Sequence, residues 1–167
     1  MKAINLLLIL MLNFFFQSQG QKVESSSYSL MLNTLLSHSV PEVSVKEINS
    51  KNEELIFIDS REKQEYEVSH LKDAIWVGYD SLDLTHLESL DKNQELVVYC
   101  SVGYRSEKVA EKLKAKGFTN VSNLYGGIFE WKNQGYKVVD EKNQPTDSVH
   151  AYNKMWGIWL NKGVKVY

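Results

Sequence analysis

A shortage of cysteine and the absence of any basic excess limit what this chain of 167 residues can be. A lone cysteine, Cys100, cannot form an intramolecular disulfide, so stability must come from a buried core. Four scattered histidines beside one cysteine give no cluster with metal-site spacing, so we predict no metal and no cofactor. The 19 lysines and arginines nearly balance the 21 aspartates and glutamates, and without a basic stripe we predict no nucleic-acid partner.

An apolar stretch opens the chain. Lys2 supplies a positive charge, residues 3–16 are rich in Leu and Phe, and residues 18–20 resemble a signal-peptidase site. We predict that residues 1–20 are a signal peptide cleaved after Gly20, so that the protein is exported, periplasmic or secreted, with no stable membrane insertion after cleavage. The alternative is an uncleaved N-terminal anchor, but a spanning helix needs roughly 20 apolar residues and this stretch is shorter.

Short apolar runs alternate with helix-compatible segments through the middle of the chain. The strand candidates are residues 54–59, 74–79, 95–100 and 120–124, and the helical candidates between them are 61–70, 82–90 and 106–117. This alternation predicts an α/β fold with a mostly parallel central sheet flanked by helices on both faces. Functional sites in such sheets lie at the carboxyl ends of strands, which points to Cys100 at the end of the most apolar candidate.

Two extensions flank the predicted domain, which spans residues 44–139. Residues 21–43 contain a polar serine cluster and an apolar patch, and we interpret them as a linker or N-terminal extension, packed or mobile, with room for one short helix. Residues 140–167 begin with turn residues and continue with large aromatics that include Trp156, Trp159 and Tyr167. Since such aromatics are usually buried, we expect this C-terminal aromatic extension to pack on the domain.

The residues after Cys100 have the composition of an anion-binding loop. They are Ser101, Val102, Gly103, Tyr104, Arg105 and Ser106. A thiolate is the reactive form of cysteine, and it is stabilised where backbone N–H groups, a helix N-terminus and a cation converge. Gly103 allows the loop to curl with its N–H groups inward, Arg105 supplies the cation, and Ser106 is a suitable N-cap for the next helix. The alternative is an unreactive cysteine buried in a core strand.

Four motifs in order resemble the rhodanese-like sulfurtransferases, over residues 55–139. They are FIDSRE at 57–62, YEVSHLKDAIWV at 66–77, VVYCSVGYRS at 97–106 and GFTNVSNLYGGIFEW at 117–131. The first resembles the family's Asp-x-Arg corner, and the third its Cys-x-x-Gly-x-Arg-Ser active-site loop. The chain departs from the family in the turn before the second strand, with Ser-His for Gly-His and Lys-Asp-Ala for Pro-Gly-Ala.

The resemblance implies a rhodanese-like fold and a thiosulfate sulfurtransferase-type enzyme. Cys100 would take the outer sulfur of a donor such as thiosulfate as a persulfide, and would pass it to cyanide or a thiol. The N–H groups of residues 101–106 would bind the persulfide charge, Tyr104 would line the entrance, and Arg105 would orient the anionic donor or brace the loop.

Three polar residues outside the loop are interpreted as structural support. Asp59 and Arg61 are expected to form a structural ion pair at the end of a strand. His70 is expected to be a hydrogen-bonded structural residue, because a thiolate in such a loop needs no base. The implied partners are a small sulfur donor and a thiol or cyanide acceptor, and we expect a monomer.

Other functions remain open at this point. A non-enzymatic rhodanese-like module that carries sulfur or binds a partner is the main alternative. A cysteine phosphatase or arsenate reductase uses a similar loop, but in those relatives the loop is one residue longer. The step of five positions from Cys100 to Arg105 is the short version, which suits a single sulfur atom. A Cys–His protease is disfavoured because nothing ties a histidine to Cys100.

Overall fold

A five-stranded parallel sheet forms the centre of the fold. The computed structural model describes residues 22–50 and 55–167, so the predicted signal peptide at 1–20 lies outside the described residues. The strands of the sheet are β1 (Glu42–Val43), β2 (Ile56–Asp59), β3 (Ile75–Trp76), β4 (Leu96–Tyr99) and β5 (Val121–Leu124). Their order is β1-β5-β4-β2-β3, and every neighbouring pair is parallel. The predicted α/β fold with a mostly parallel sheet is confirmed.

Strand β4 lies in the middle of the sheet and is buried on both faces. All of its side chains are inaccessible to solvent, which explains why its sequence is continuously apolar instead of alternating with polar residues. Val97 and Tyr99 belong to one core cluster, whereas Leu96 and Val98 belong to the other. Because successive side chains of a strand point to opposite faces, each face of the sheet has its own core. The end of β4 is therefore held rigidly from both sides.

Helices cover both faces of this sheet. They are α1 (Ser26–Leu35), α2 (Val45–Ser50), α3 (Lys63–Val68), α4 (Tyr104–Ala115) and α5 (Gly127–Asn133), with shorter 3-10 helices at Thr85–Leu87 and Trp156–Trp159. Helix α4 buries Val109 and Leu113 in the same cluster as Leu96. Helices α1 and α5 bury Leu32 and Phe129 in the cluster of Val97. The prediction of helices on both faces is confirmed.

The helical candidate at 82–90 differs from what its leucine spacing suggested. Only one 3-10 turn, Thr85–Leu87, forms there. Asp83 Oδ1 accepts hydrogen bonds from Thr85 N at 2.9 Å and Thr85 Oγ1 at 2.7 Å. Such short side-chain bonds to nearby backbone compete with the α-helix, so the leucines pack from a turn.

Both extensions carry secondary structure of their own. In residues 21–43, α1 buries Tyr28 and Leu32, and β1 forms the edge of the sheet beside β5. In residues 140–167, β7 (Pro145–Thr146) pairs with β6 (Val138–Val139), and β8 (Ser148–His150) pairs with β9 (Val164–Val166). The rings of Tyr28 and Trp159 stack with their centroids 5.2 Å apart, so the two extensions contact each other.

Across residues 22–50 and 55–167, none of the helices has the length and apolar character needed to cross a bilayer.

Candidate active site

Cys100 directly follows β4, and its thiol is enclosed by the loop that leads into α4. The side chain is about 1% exposed, and Sγ accepts a hydrogen bond from Gly103 N at 3.1 Å. Gly103 has φ +123, a value that an L side chain rarely adopts, and this lets its N–H turn back toward the sulfur. Helix α4 begins at the next residue, so its unpaired first-turn N–H groups also lie beside this loop.

Ser106 does not cap α4 as predicted. The cap is Gly103, and the helix begins at Tyr104, two residues earlier than expected, because the positive φ of Gly103 completes the turn sooner. Ser106 Oγ instead lies 3.0 Å from Gly103 O and 2.7 Å from Asn123 Oδ1, and Asn123 Nδ2 donates to Gly103 O at 3.0 Å. The side chains of Ser106 and Asn123 therefore hold the carbonyl group of Gly103 in place. The sequence offered one signal for Asn123, a polar residue inside an apolar strand.

Arg105 braces the loop through the carboxylate of Glu65, a residue that no sequence pattern singles out. Its Nη1 and Nη2 donate to Glu65 Oε2 at 2.6 Å and Glu65 Oε1 at 2.8 Å. Ser101 Oγ donates to Glu65 Oε1 at 3.0 Å, so both ends of the loop are tied to one residue of α3. Glu65 is only about 1% exposed. A bidentate pair of this kind fixes the direction of the guanidinium as well as its position.

The environment of this pair favours the charged form of both side chains. Burial alone would raise the pKa of Glu65, but the hydrogen bonds and charge of Arg105, with a further contribution from Arg61, hold that pKa below its ordinary value. Burial opposes the charge of Arg105, yet the Glu65 hydrogen bonds and the negative charge of a Cys100 thiolate raise its pKa. Arg105 is therefore a fixed cation near the sulfur.

Replacing Glu65 with glutamine is expected to destabilise the protein by about 2 kcal/mol at neutral pH, because charge-assisted hydrogen bonds to Arg105 are lost. The pKa of Glu65 is lowered on folding, so its contribution is present above the ordinary glutamate value and disappears as the pH falls through the lowered pKa. Urea unfolding of wild type and Glu65→Gln from about pH 7 to about pH 3 should show the difference shrinking in acid. A difference that stays constant across this range would contradict the assignment, and Glu88→Gln, at an exposed carboxylate, is the control.

The three residues predicted as structural support, Asp59, Arg61 and His70, are all buried. Arg61 Nε donates to Asp59 Oδ1 at 3.0 Å, and Arg61 Nη2 donates to Asp59 Oδ2 at 2.6 Å. Nη2 also donates to Ser69 O at 2.6 Å. Burial opposes the charge of Arg61, but the Asp59 charge and hydrogen bonds raise its pKa. His70 Nδ1 lies 3.0 Å from Tyr66 O, and the two rings stack at 3.9 Å. None of these residues lines the cavity at Cys100.

The N-terminus of α5 approaches the carbonyl side of the Cys100 loop. Ile128 N donates to Cys100 O at 2.9 Å, and Phe129 N donates to Ser101 O at 3.2 Å. This approach requires glycine at position 127, because a Cβ there would collide with the carbonyl groups of Cys100 and Ser101. The Gly-Gly pair at the start of α5 therefore helps to position Cys100 at its carbonyl group, while the amide of Gly103 contacts its sulfur.

A cavity of about 330 Å³ opens onto the sulfur. The loop contributes Cys100, Ser101, Val102, Tyr104 and Arg105 to its lining, and the rest comes from Leu35, Glu62, Tyr79, Asp80, Tyr152 and Trp156. Gly103 and Ser106, which were predicted as binding residues of the loop, are not among the residues that line the cavity. Gly103 contacts the sulfur of Cys100, and Ser106 contacts the backbone of Gly103. The sequence did not predict that residues of both extensions would line this cavity. Within the described part of the chain, no group of His, Cys, Asp and Glu side chains is arranged to hold a metal ion.

Known proteins show similarities that agree with this geometry. The chain is 33% identical over 82 residues to a thiosulfate sulfurtransferase, GlpE, of Coxiella burnetii, covering 49% of this chain and 76% of that one. It is 31% identical over 96 residues to a putative sulfur carrier protein, YrkF, of Bacillus subtilis, and 35% identical over 101 residues to a tRNA uridine(34) hydroxylase of Hamiltonella defensa. Each match covers 56% of this chain, but it spans only 51% of the carrier and 28% of the hydroxylase.

Structural comparison supports the same fold. A crystal structure of a Bacillus halodurans protein superposes with a TM-score of 0.54 at 23% identity, covering 68% of this chain and 84% of that one. The family model of the rhodanese-like domain matches residues 43–134, more than half of the chain, and this range contains the cysteine loop, its Glu65 brace and the buried ion pair. The chain belongs to the rhodanese-like domain family.

Proposed function

We propose that the protein is a sulfurtransferase that moves a sulfane sulfur from a donor to a thiophilic acceptor through a persulfide on Cys100. The observation that carries the proposal is the environment of one atom. Cys100 lines the cavity, its Sγ accepts a hydrogen bond from the amide of Gly103, and the cationic Arg105 lies five positions further along the chain. These are the features that stabilise a thiolate and the charge of its persulfide.

The transfer takes two displacements at sulfur. With thiosulfate as the simplest donor, the Cys100 thiolate attacks the outer sulfur, a new S–S bond forms, and sulfite leaves with the electron pair of the broken S–S bond. Cyanide or an acceptor thiolate then attacks the terminal sulfur of the persulfide. Thiocyanate or an acceptor persulfide forms and the Cys100 thiolate is released, so no outside oxidant or reductant is needed.

The small size of the loop supports sulfur over phosphorus chemistry. The loop amide of Gly103 already donates to Sγ at 3.1 Å, and the guanidinium of Arg105 is turned toward Glu65. A tetrahedral oxyanion needs several donors arranged around it at hydrogen-bond distance. A single transferred sulfur atom needs far less room, which favours the sulfurtransferase over a phosphatase or arsenate reductase.

Intact-mass measurement tests the proposal directly. Incubation with a sulfane-sulfur donor should add the mass of one sulfur atom to the wild-type protein, and cyanide should remove it with release of thiocyanate. Cys100→Ser should show no adduct. An equal adduct on Cys100→Ser, or none on wild type with thiosulfate or an organic thiosulfonate, would overturn the proposal. Repeated turnover with excess donor and cyanide separates an enzyme from a protein that only carries sulfur.

A further inference from the structure

The cation of the site is already paired within the protein. Both terminal nitrogens of Arg105 donate to Glu65, and Nη2 also lies 3.1 Å from Ser101 Oγ. Among the described residues that line the cavity, Arg105 is the one cationic side chain. Its charge is therefore partly offset by Glu65 at close range, and three of its N–H groups already have acceptors within the protein.

The mouth of the cavity carries negative charge instead. Glu62 and Asp80 both line it, and Asp80 N donates to Glu62 Oε1 at 3.2 Å, so these neighbours lie side by side. Asp80 is exposed, whereas Glu62 is half-buried at the start of α3. Clefts concentrate the field of the charges that line them, so a small dianion such as thiosulfate is repelled on its way to Cys100.

The remaining wall is apolar or aromatic, and half of its residues, Leu35, Tyr152 and Trp156, lie outside the family's matched range of 43–134. Tyr152 stands over the guanidinium of Arg105, 5.2 Å from the ring centroid, at 49% exposure. Tyr152 has φ +63, and its N–H donates to His150 Nδ1 at 3.2 Å, which fixes the turn that carries the ring. Trp156 of the same extension and Leu35 of α1 line the cavity as well.

The apolar surface continues past this wall. Leu35 and Trp156 also line a neighbouring open groove of about 500 Å³ together with Leu30 and Met31. Leu30 is 70% exposed. A donor with an apolar organic group can therefore bury that group against aromatic and aliphatic side chains of the cavity and the groove. A small inorganic dianion has no apolar surface to bury there and gains no binding free energy from it.

From these contacts we infer that Cys100 takes its sulfur from an organic donor, a persulfide or thiosulfonate whose sulfane sulfur is attached to an apolar body with at most one negative charge. This inference rests on the proposed function. Tyr152 and Trp156 are its specificity-determining residues. The Cys100 thiolate attacks the terminal sulfur, the donor's S–S bond breaks, and an organic thiolate or sulfinate leaves with the electron pair.

Benzenethiosulfonate and thiosulfate are matched probes, since the first replaces one negative charge of the second with a phenyl ring. The measurement is the second-order rate of sulfur loading on Cys100 for each donor. Tyr152→Ala and Trp156→Ala should each lower the benzenethiosulfonate rate about fivefold to tenfold and change the thiosulfate rate little. Tyr152→Phe, which keeps the ring, should retain the wild-type ratio, and Tyr167→Ala, an exposed aromatic of the same extension outside the cavity lining, is the control.

Charge reversal at Asp80 tests whether the negative charge at the mouth of the cavity slows loading from thiosulfate. Asp80→Lys should raise the thiosulfate rate about threefold at low salt, less at high salt, whereas Glu88→Lys changes the net charge equally outside the cavity lining and should have little effect. Loading from both donors with a rate ratio that none of the cavity variants changes would overturn this inference alone. Failure of wild type to load from either donor would overturn the proposed function as well.

Discussion

Asp59→Ala is expected to lower the free energy of unfolding by about 3–5 kcal/mol, because it leaves a fully buried guanidinium without its counterion. Neither side chain of the Asp59–Arg61 pair is exposed to solvent. Arg61 already has one nitrogen, Nη1, without a hydrogen-bond partner among the described residues, so little remains to compensate the charge. The guanidinium also lies 5.6 Å from the ring centroid of Tyr99 at the end of β4, so its displacement would disturb the strand that carries the cysteine.

Urea unfolding monitored by circular dichroism measures this loss, provided that the dependence on denaturant concentration is unchanged. Glu111→Ala is a suitable control, since it removes a carboxylate that pairs with Lys108 at the surface, and exposed pairs contribute at most about 1 kcal/mol. The double variant Asp59→Leu with Arg61→Met removes both charges and should recover much of the stability. If the double variant were no more stable than Asp59→Ala, the unpaired charge would not be the cause.

Gly127→Ala is the second substitution with a large expected effect, and it acts on stability and sulfur uptake together. The new Cβ would collide with the carbonyl groups of Cys100 and Ser101, and residue 127 has φ +57. Left-handed backbone costs an L residue about 1–2 kcal/mol, and overpacking adds about 1–3 kcal/mol. Relief of the collision moves the Cys100 loop, and a displacement of roughly 1 Å at a reacting atom can lower a rate about 100-fold.

Gly135→Ala is the matched control for this substitution. Gly135 also has positive φ, +89, but a Cβ there would meet nothing within 4 Å. The control should therefore show the backbone cost alone and load sulfur at the wild-type rate. Thermal unfolding and the mass assay distinguish the two variants. Equal losses in both, with sulfur uptake intact, would mean that α5 does not fix the position of Cys100.

Local features of the site could be predicted from the sequence, and long-range ones could not. Cys100, Gly103 and Arg105 are close in sequence, so the strand end, the turn and the cation follow from a short stretch of residues. Glu65 lies 40 positions from Arg105, and nothing in its charged helical stretch distinguishes it from its exposed neighbours. Its role depends on how α3 packs beside the loop, which sequence periodicity does not determine.

The contacts of the two extensions could not be predicted from the sequence, because they too join residues that are far apart in the chain. Their apolar residues indicated burial, but the partner of each residue depends on the whole fold. The buried Glu107 of α4, for example, accepts the amides of Ser37 and Ser39 at 3.0 Å each, and so holds the segment that follows α1. The misassigned cap at Ser106 has a local cause, since Gly103 and Ser106 both have cap-forming chemistry and only the backbone conformation decides between them.

The contact between Tyr28 and Trp159 has a consequence for how this protein could diversify. The cysteine loop and its Glu65 brace lie inside residues 43–134, whereas Leu35, Tyr152 and Trp156, which line the cavity, lie in the two flanking segments that this stacking joins. The aromatic part of the inferred donor selectivity is thus encoded in different stretches of the gene from the cysteine loop. Substitutions in the flanks can change which molecules enter while the chemistry of the thiol stays the same.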